Sequence, residues 1–575
     1  MEVIPGLPID PSQEIFLRCL PDKSYPTLTP REAPLLLTQV SRAWRDLALR
    51  TPQLWSSIHV AVLTRWQHTD ETVARILKCF ECAKSAPMDV SLWSPPDCVV
   101  DPPLSHPVMT SIRSQSWHVR SLELNVSTGM LAHFYATTPP AVGGSSWPLL
   151  EKIVLNFGRG GMAGPLMRFE GASRVTFWSA PALKSISLTY VDVHVLNLPL
   201  PWGQMESIEV GASGPYGRRQ TDLEYPSFTP AEAKTILKKC PMLSSLIMAV
   251  TNNHVVDDRD HDEEEVSESE PSPPTPGPFT HSHLKDLYLA ETIVNPRRYP
   301  TTFLESLRLP ALEKLTYILI NPSDMALSHI FNHPLVLFFR TQATPSLIKK
   351  LGVGMETLSY RGLVECLKFM PVLGELRLLN GTFRAPESSV SCDDAFLETF
   401  LPANMRSVAV QAGRGVGPLL HIPDGGLCPR LDDIIIDEGS GFSSEGILHF
   451  ARSRVSLSRA NGSAYARPRR FYVKMKTRIK PDYAARDERG GNNEAEEGLW
   501  ALGVDAIVTM SRTPGEPVWE TTGYSWVFPG SRILRSMQTD RRSMKENGTA
   551  GYNPSAGLPR QHYGDEDEWF GRGFD

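Results

Sequence analysis

Residues 371–378, PVLGELRL, hold the pattern that decides the fold: a proline, a leucine two positions later, and then apolar residues at alternate positions. Alternation of this kind predicts a short strand with one apolar face. The pattern Pro-x-Leu-x-x-(Leu/Ile) occurs six times, beginning at Pro148, Pro181, Pro241, Pro310, Pro371 and Pro429. The prolines are 33, 60, 69, 61 and 58 residues apart, close to multiples of a unit of about 30 residues.

Copies without the proline fill the gaps between these six, as expected of degenerate repeats. They begin at Val119, Met205, Leu284, Leu304, Met355 and Met405. Residues 231–240 and 363–370 have helical periodicity and end directly before a proline, which favours a helix end there. The sequence therefore predicts an α/β fold in which parallel strands stack and helices cover one side.

The first 55 residues have a different, helical pattern. Asp10, Pro11 and Gln13 predict one helix start, with Asp10 as N-cap. Residues 29–32, TPRE, predict a second start through a capping box, although Pro34 leaves open whether helix begins at Pro30 or at Pro34. Thr51-Pro52 predicts the end of that helix and a third, short one. The segment is too short to bury its apolar surface alone, so it is either a helical cap on a larger core or a docking module.

The residues of this segment closely resemble the F-box, in the form found in F-box-like proteins of mushroom-forming fungi. The resemblance covers about 50 residues and rests on Leu7-Pro8, Ile15-Phe16, Leu20-Pro21, Ala33-Pro34-Leu35-Leu36-Leu37, Gln39-Val40, Arg42, Trp44-Arg45, Ala48-Leu49, Thr51-Pro52 and Leu54-Trp55. Two features depart from the family: Ile9-Asp10-Pro11 replaces the usual end of the Leu-Pro-x-Glu-Ile/Leu opening, and Ser41 stands where cysteine is frequent.

The resemblance implies a non-catalytic substrate adaptor that docks on the Skp-family subunit of a cullin-based ubiquitin ligase. The repeats are similar to the irregular leucine-rich-repeat solenoid, or horseshoe, that follows F-boxes, and would hold an unknown protein substrate. A scaffold that docks in the same way without ubiquitin transfer is the alternative. The residues expected to face the Skp-family adaptor are Leu7, Pro8, Ile15, Phe16, Leu20, Leu35, Leu36, Val40, Trp44, Leu47, Leu54 and Trp55.

These patterns predict a division of the chain into an F-box-like helical module (1–60), a helical linker or cap (61–118), a repeat solenoid (119–510) and a disordered tail (511–575). An acidic and proline-rich insertion at 252–280 interrupts the solenoid. Its residues 257–270 hold nine acidic side chains against one arginine, and such a composition predicts disorder.

Composition limits the function classes. The chain has 575 residues, of which 41% are hydrophobic, and this predicts a large core. Its formal charge of -6 provides no basic surface for nucleic acid. No run of eighteen apolar residues and no signal-peptide pattern is found, so membrane spanning and secretion are not expected. The eight cysteines are scattered, which is typical of reduced thiols in a cytoplasmic or nuclear protein.

Motifs for catalysis are weak. Residues 158–163, GRGGMA, follow the strand-like KIVLNF, but Gly164-Pro165 replaces the helix that a dinucleotide site needs, so a turn is favoured over a nucleotide-binding enzyme. Cys79-x-x-Cys82 and His281-x-His283 lack further ligands at metal spacing. No cofactor and no metal are therefore expected.

Overall fold

The structure is a computed structural model of the chain. All the residues it describes lie in the compact unit Met1–Val518. They are 8–21, 25–61, 69–94, 107–126, 134, 147–156, 175–189, 195–211, 228–252, 278–293, 303–320, 333–342, 346–354, 358, 360–379, 394–406, 422–439, 443–460, 464–476 and 498–511.

Helices precede and connect the strands. The α-helices are α1 (Ile9–Arg18), α2 (Leu37–Val40), α3 (Arg42–Arg50), α4 (Thr69–Ala83), α5 (Pro107–Ser114), α6 (Pro230–Lys239), α7 (Pro334–Thr341), α8 (Tyr360–Lys368), α9 (Asp394–Glu398) and α10 (Ser444–Ala460). The 3-10 helices are Pro52–Trp55, Ser116–His118, Thr176–Ser179, Val195–Asn197, Trp202–Gln204, Leu304–Ser306 and Ala403–Met405.

The strands are short and regularly spaced along the chain. They are β1 (Ser57–Ala61), β2 (Met88–Trp93), β3 (Val119–Asn125), β4 (Lys152–Asn156), β5 (Ser185–Thr189), β6 (Ser207–Gly211), β7 (Ser245–Asn252), β8 (Phe279–Thr280), β9 (Asp286–Ile293), β10 (Leu307–Arg308), β11 (Lys314–Ile320), β12 (Lys350–Gly354), β13 (Glu375–Leu379), β14 (Asp433–Gly439), β15 (Arg470–Lys476) and β16 (Asp505–Ser511).

In the part of the chain that the structure describes, fourteen strands form one sheet whose order follows the sequence from β1 to β16. Every neighbouring pair is parallel. The two remaining strands, β8 and β10, pair only with each other. The prediction of an α/β fold with stacked parallel strands is thereby confirmed. The sheet begins at Ser57, earlier than the predicted first strand at Val119. Strands β1 and β2 were not predicted, and β2 lies in residues 61–118, for which a helical linker was expected.

The repeated Pro-x-Leu phrase forms a turn that leads into a strand. In all six copies the leucine N–H donates to the carbonyl oxygen of the residue before the proline, at 3.0–3.5 Å, as in a β-turn with proline at its second position. In the copy at Pro371, Leu373 is buried, and so is Leu376 in the strand that follows. Leu376 lies in register between Leu351 and Ile434 of the neighbouring strands, and burying one such side chain contributes about 1.5–3 kcal/mol.

Side chains of later residues fasten two of these turns. Gln204 Nε2 donates to the carbonyl oxygens of Pro181 and Leu183 at 2.6 and 3.0 Å. Arg454, in α10, donates at 2.8 Å to the corresponding oxygens of Pro429 and Leu431. The bonds give these main-chain oxygens a donor from a later part of the chain and so tie one unit to the next.

Two sequence motifs of the same type form different structures. Residues 229–232, TPAE, form a capping box at the start of α6, with the Glu232 N–H donating to Thr229 Oγ1 and the Thr229 N–H donating to Glu232 Oε2. Residues 29–32, TPRE, do not, and the predicted capping box is wrong. Pro34 has no N–H for the Pro30 carbonyl, which accepts instead from Gln39 Nε2 at 3.1 Å.

The other predicted N-terminal boundaries also need correction. Helix α1 begins at Ile9, with Pro8 rather than Asp10 at the N-cap and no side-chain cap. The predicted second helix, which would begin at Pro30 or Pro34 and end at Thr51, is interrupted at Ser41, which is extended and accepts a hydrogen bond from the Trp44 N–H. Ser41 thus caps α3 and separates it from α2. The predicted short helix after Thr51 is found as the 3-10 helix Pro52–Trp55.

Later expectations have mixed outcomes. Near the C-terminus the sequence predicts a helix over residues 442–454 and a strand over 470–475, and these correspond to α10 and β15. The copy predicted at Leu304 becomes a 3-10 helix and β10, outside the main sheet, and β12 lies upstream of the copy predicted at Met355. The strand expected at Val408, most of the acidic insertion and the tail lie outside the described residues.

Candidate protein-docking face

The first helices expose aliphatic side chains at high density. Of the eleven large hydrophobic residues that are exposed in the described parts of the chain, four lie between Ile9 and Val40. We define the docking face as these four, Ile9, Ile15, Leu36 and Val40, with the half-buried Trp44. Dense exposure of large apolar side chains along a short segment is typical of interaction sites in soluble proteins.

Three consecutive leucines show how the face is made. Leu36 is 43% exposed, whereas Leu35 and Leu37 on either side are 7% and 3% exposed. The turn before α2 holds them in place, since the Leu36 N–H donates to the Glu32 carbonyl at 2.9 Å and the Leu37 N–H to the Pro34 carbonyl at 3.1 Å. Leu35 and Leu37 therefore anchor the turn while Leu36 points to solvent, and Val40 follows one helical turn later.

An aromatic contact sets α1 against α3. The rings of Phe16 and Trp44 have centroids 4.8 Å apart at an angle of 49°, and this separation is within the contact range of aromatic pairs. Phe16 is fully buried beneath this contact. Trp44 itself stays half-buried.

The end of α3 is closed by hydrogen bonds from the segment that follows it. Trp55 Nε1 donates to the Ala48 carbonyl at 2.8 Å and Thr51 Oγ1 to the Leu47 carbonyl at 2.8 Å. Leu54 is fully buried beside them. These bonds satisfy carbonyls that a helix C-terminus leaves unpaired, so the module has a rigid core under its exposed face.

The structure divides the predicted adaptor-facing residues into two groups. Pro8, Ile15, Leu36 and Val40 are exposed, and Leu20 and Trp44 are half-buried. The buried group stabilises the module and offers no surface to a partner: Phe16, Leu35, Leu47, Leu54 and Trp55. Leu7 lies outside the described residues. Ile9 was missed by the sequence reasoning, although it follows Leu7-Pro8 directly.

The module is joined to the first strand of the sheet. Thr27 forms a parallel bridge with His59 of β1, and the His59 N–H donates to the Pro26 carbonyl at 2.8 Å. His59 Nδ1 lies 3.1 Å from Ser91 Oγ of β2. Burial lowers the pKa of His59, against an opposing effect of Glu32. The joint is thus made of backbone bonds and a neutral imidazole.

Exposed charged side chains also lie on α1 and α3. Glu14 and Arg18 form an exposed pair at 3.1 Å along α1, and Arg42 and Asp46 are exposed on α3. An apolar centre with a charged rim is the usual composition of a protein interface.

Neither the cysteine pair Cys79 and Cys82 nor the histidine pair His281 and His283 forms a metal-binding arrangement in the described residues. Cys79 and Cys82 are both buried in α4, and burial raises the pKa of Cys79 to about 12, as fits thiols facing a core. His281 is buried, with Nε2 3.0 Å from the Cys240 carbonyl oxygen, whereas His283 is exposed. The GRGGMA segment at 158–163 lies outside the described residues.

Among the residues described, no group of three or more His, Cys, Asp or Glu side chains is placed to hold a metal ion. Within the same residues, none of the helices combines the length and the apolar character needed to cross a membrane. Comparison with protein-family models and with curated protein sequences gives no match to this chain.

Proposed function

We propose that the chain is a non-catalytic adaptor. In this proposal the N-terminal helices are an F-box-like module that docks on a Skp-family subunit, and through it on a cullin. The strands belong to a leucine-rich-repeat-like solenoid that holds a protein substrate. Partner proteins would transfer the ubiquitin. The adaptor would contribute by holding the substrate at fixed geometry, which raises the effective concentration of the substrate's lysines near the enzyme that carries ubiquitin.

The observation that carries the proposal is the docking face. Ile15, Leu36, Val40 and Trp44, which the resemblance assigns to the adaptor, are exposed or half-exposed, while Phe16 and Leu35 beside them form the core. A helical cap on the sheet does not require these aliphatic side chains to be exposed, whereas a protein-binding surface does.

The sheet supports the second half of the proposal. Parallel strands in sequence order, six of them preceded by the same Pro-x-Leu turn, are what stacked repeats produce. Such an array offers one long surface with side chains spread along it, which suits the recognition of a protein. Catalysis needs several functional side chains brought together at one site.

The test is a pull-down of the full chain with a purified Skp-family subunit. Leu36→Asp combined with Val40→Asp should remove binding, because a carboxylate in a desolvated interface is costly. Both positions are exposed, so the variant should unfold at the same urea concentration as the wild type.

The matched control is Met242→Asp with Leu347→Asp, which changes two equally exposed apolar residues near β7 and β12. It should keep Skp binding. Undiminished binding by the Leu36→Asp, Val40→Asp variant would refute the proposed dock. Recovery of a cullin with the wild-type chain separates a ligase adaptor from a scaffold, since only the former requires it.

A further inference from the structure

One edge of the sheet carries apolar side chains at intervals. Because all strands are parallel, the segments that lead into them meet at the same edge, which we call the leading edge. Of the seven exposed large hydrophobic residues beyond the first helices in the described chain, six belong to these segments: Trp117, Leu149, Met242, Leu347, Phe369 and Trp500. Tryptophan, methionine and phenylalanine are enriched at protein interfaces.

A row of residues leads into the strands, one per strand from β3 to β15, and nine of the eleven are charged. We call it the charge ladder: Arg120, Glu151, Lys184, Glu206, Ser244, Lys285, Glu313, Lys349, Gly374, Asp432 and Arg469. Backbone bonds hold it in register; for example, the Glu313 N–H donates to the Lys285 carbonyl and the Lys349 N–H to the Glu313 carbonyl, at 2.8 and 2.7 Å. Adjacent charged members always have opposite signs.

The sign pattern is self-complementary. If the strand order of one copy is reversed about a point between β9 and β11, Lys285 faces Glu313 of the second copy, and Glu313 faces its Lys285. The same reversal places Lys184 against Asp432 and Glu151 against Arg469. Every position at which both members are charged then joins opposite charges, which is the condition for a two-fold, isologous contact.

Four of these six apolar residues pair with one another under the same reversal. Met242 at β7 falls opposite Leu347 at β12, and Trp117 at β3 falls opposite Trp500 at β16. These four side chains are each 52–56% exposed, so each brings accessible apolar area. Trp202, whose ring lies 5.2 Å from Lys239 Nζ, falls opposite Phe369. A charge row of alternating sign does not by itself require this coincidence of large side chains.

From this double complementarity we infer that two copies of the chain associate edge to edge through the leading edge, about a two-fold axis between β9 and β11. The inference is independent of the proposed adaptor function, because it uses none of the docking face. Twelve strands at about 4.8 Å and a width of about 10 Å give roughly 500 Å² per copy, near the lower limit for a specific dimer. The dimer should therefore be concentration-dependent.

The roles of the two rows differ. Exposed ion pairs contribute little to affinity, and the ladder charges already pair within the chain, as Lys349 and Glu313 do at 2.7 Å. The apolar pairs supply the affinity, and the ladder selects the register by placing like charges together in any shift of one strand.

The experiment is sedimentation velocity of the full chain over a range of concentrations. The wild type should shift from the mass of one chain to that of two. Lys285→Glu should be monomeric because the introduced carboxylate then meets Glu313 at both symmetric contacts. Glu313→Lys should be monomeric because the introduced ammonium group likewise meets Lys285 at both contacts. An equimolar mixture of the two variants should dimerise again, because each contact then joins a carboxylate to an ammonium group.

Rescue by mixing reports on a contact between molecules and cannot arise from a folding defect. Met242→Asp with Leu347→Asp should also abolish the dimer, while Arg361→Glu, on the exposed side of α8, should not. A wild type that stays monomeric at every concentration would overturn the inference. So would a mixture that remains monomeric, or single variants that dimerise as the wild type does.

Discussion

The guanidinium of Arg454 lies 2.8 Å from the carbonyl oxygen of Leu431, and the same nitrogen donates to Pro429 at 2.8 Å. Arg454 is fully buried, with its charge 5.6 Å from the centre of the Tyr465 ring. Burial lowers the pKa of Arg454 to about 10, so it remains a cation at neutral pH. Its bonds to main-chain oxygens hold the last Pro-x-Leu turn to α10.

Replacing Arg454 should therefore destabilise the C-terminal units. Arg454→Met should lower the free energy of unfolding by about 1–3 kcal/mol, because the Leu431 oxygen loses a charged donor in a dry site. Arg454→Lys should also be destabilising, since one ammonium cannot reproduce the planar fork. Urea denaturation measures both. Gln204→Met removes similar bonds at a more exposed site and should cost less; an equal cost would contradict the importance of burial.

Leu376 tests the independence of the two ends of the chain. Leu376→Asp places a carboxylate at a position with no solvent exposure and should cost about 4 kcal/mol or more. Limited proteolysis should show the strands around β13 opened, while the N-terminal helices still bind the Skp-family subunit. Leu347→Asp, at an exposed leucine, is the control. Loss of sheet and dock together in one transition would contradict the two-part model.

His333 predicts a pH dependence of stability. It is fully buried and its Nδ1 caps α7 by accepting from the Leu335 N–H at 3.2 Å. Burial lowers its pKa to about 3. Because the unfolded chain binds a proton near pH 6.5 and the folded chain does not, the contribution of neutral His333 is complete above pH 6.5 and is lost as pH falls toward 3.

The expected slope is up to about 1.4 kcal/mol per pH unit below pH 6. Urea midpoints at pH 7, 6 and 5 measure it. His333→Asn keeps a capping acceptor but does not titrate, so its midpoint should change less over the same range. Parallel curves for the two proteins would assign the acid sensitivity to other groups.

Gly426 predicts a backbone effect. Its φ is +79°, and a Cβ added there would lie 2.7 Å from the Leu401 carbonyl oxygen. Gly426→Ala should therefore cost about 2 kcal/mol or more, through strain and a backbone clash. Gly203→Ala is the matched control, because nothing lies within 4 Å of its added Cβ. Thermal unfolding compares the two, and equal midpoints would be inconsistent with the clash.

The repeated turns and strands could be predicted because their cause is local. Proline sets the second position of the turn, the leucine N–H closes it, and alternate apolar residues such as Leu376 and Leu378 define the buried face over a few residues. The parallel order follows from repetition, since each unit can bury its leucines only against its neighbours. The resemblance of the first 55 residues to the F-box also rests on apolar positions that recur within about 50 residues, and it stays a prediction.

Tertiary structure determined the different conformations and exposures of segments whose local sequences are alike. The motifs TPAE at 229–232 and TPRE at 29–32 are alike, yet only the first caps a helix. In the second, Pro34 has no N–H to donate to the Pro30 carbonyl oxygen. Leu35, Leu36 and Leu37 are the same residue type, and only the packing of the turn exposes the middle one. Met242 and Leu347 are far apart in sequence, and the parallel sheet alone brings them to one edge, because equivalent positions of all its strands must align there.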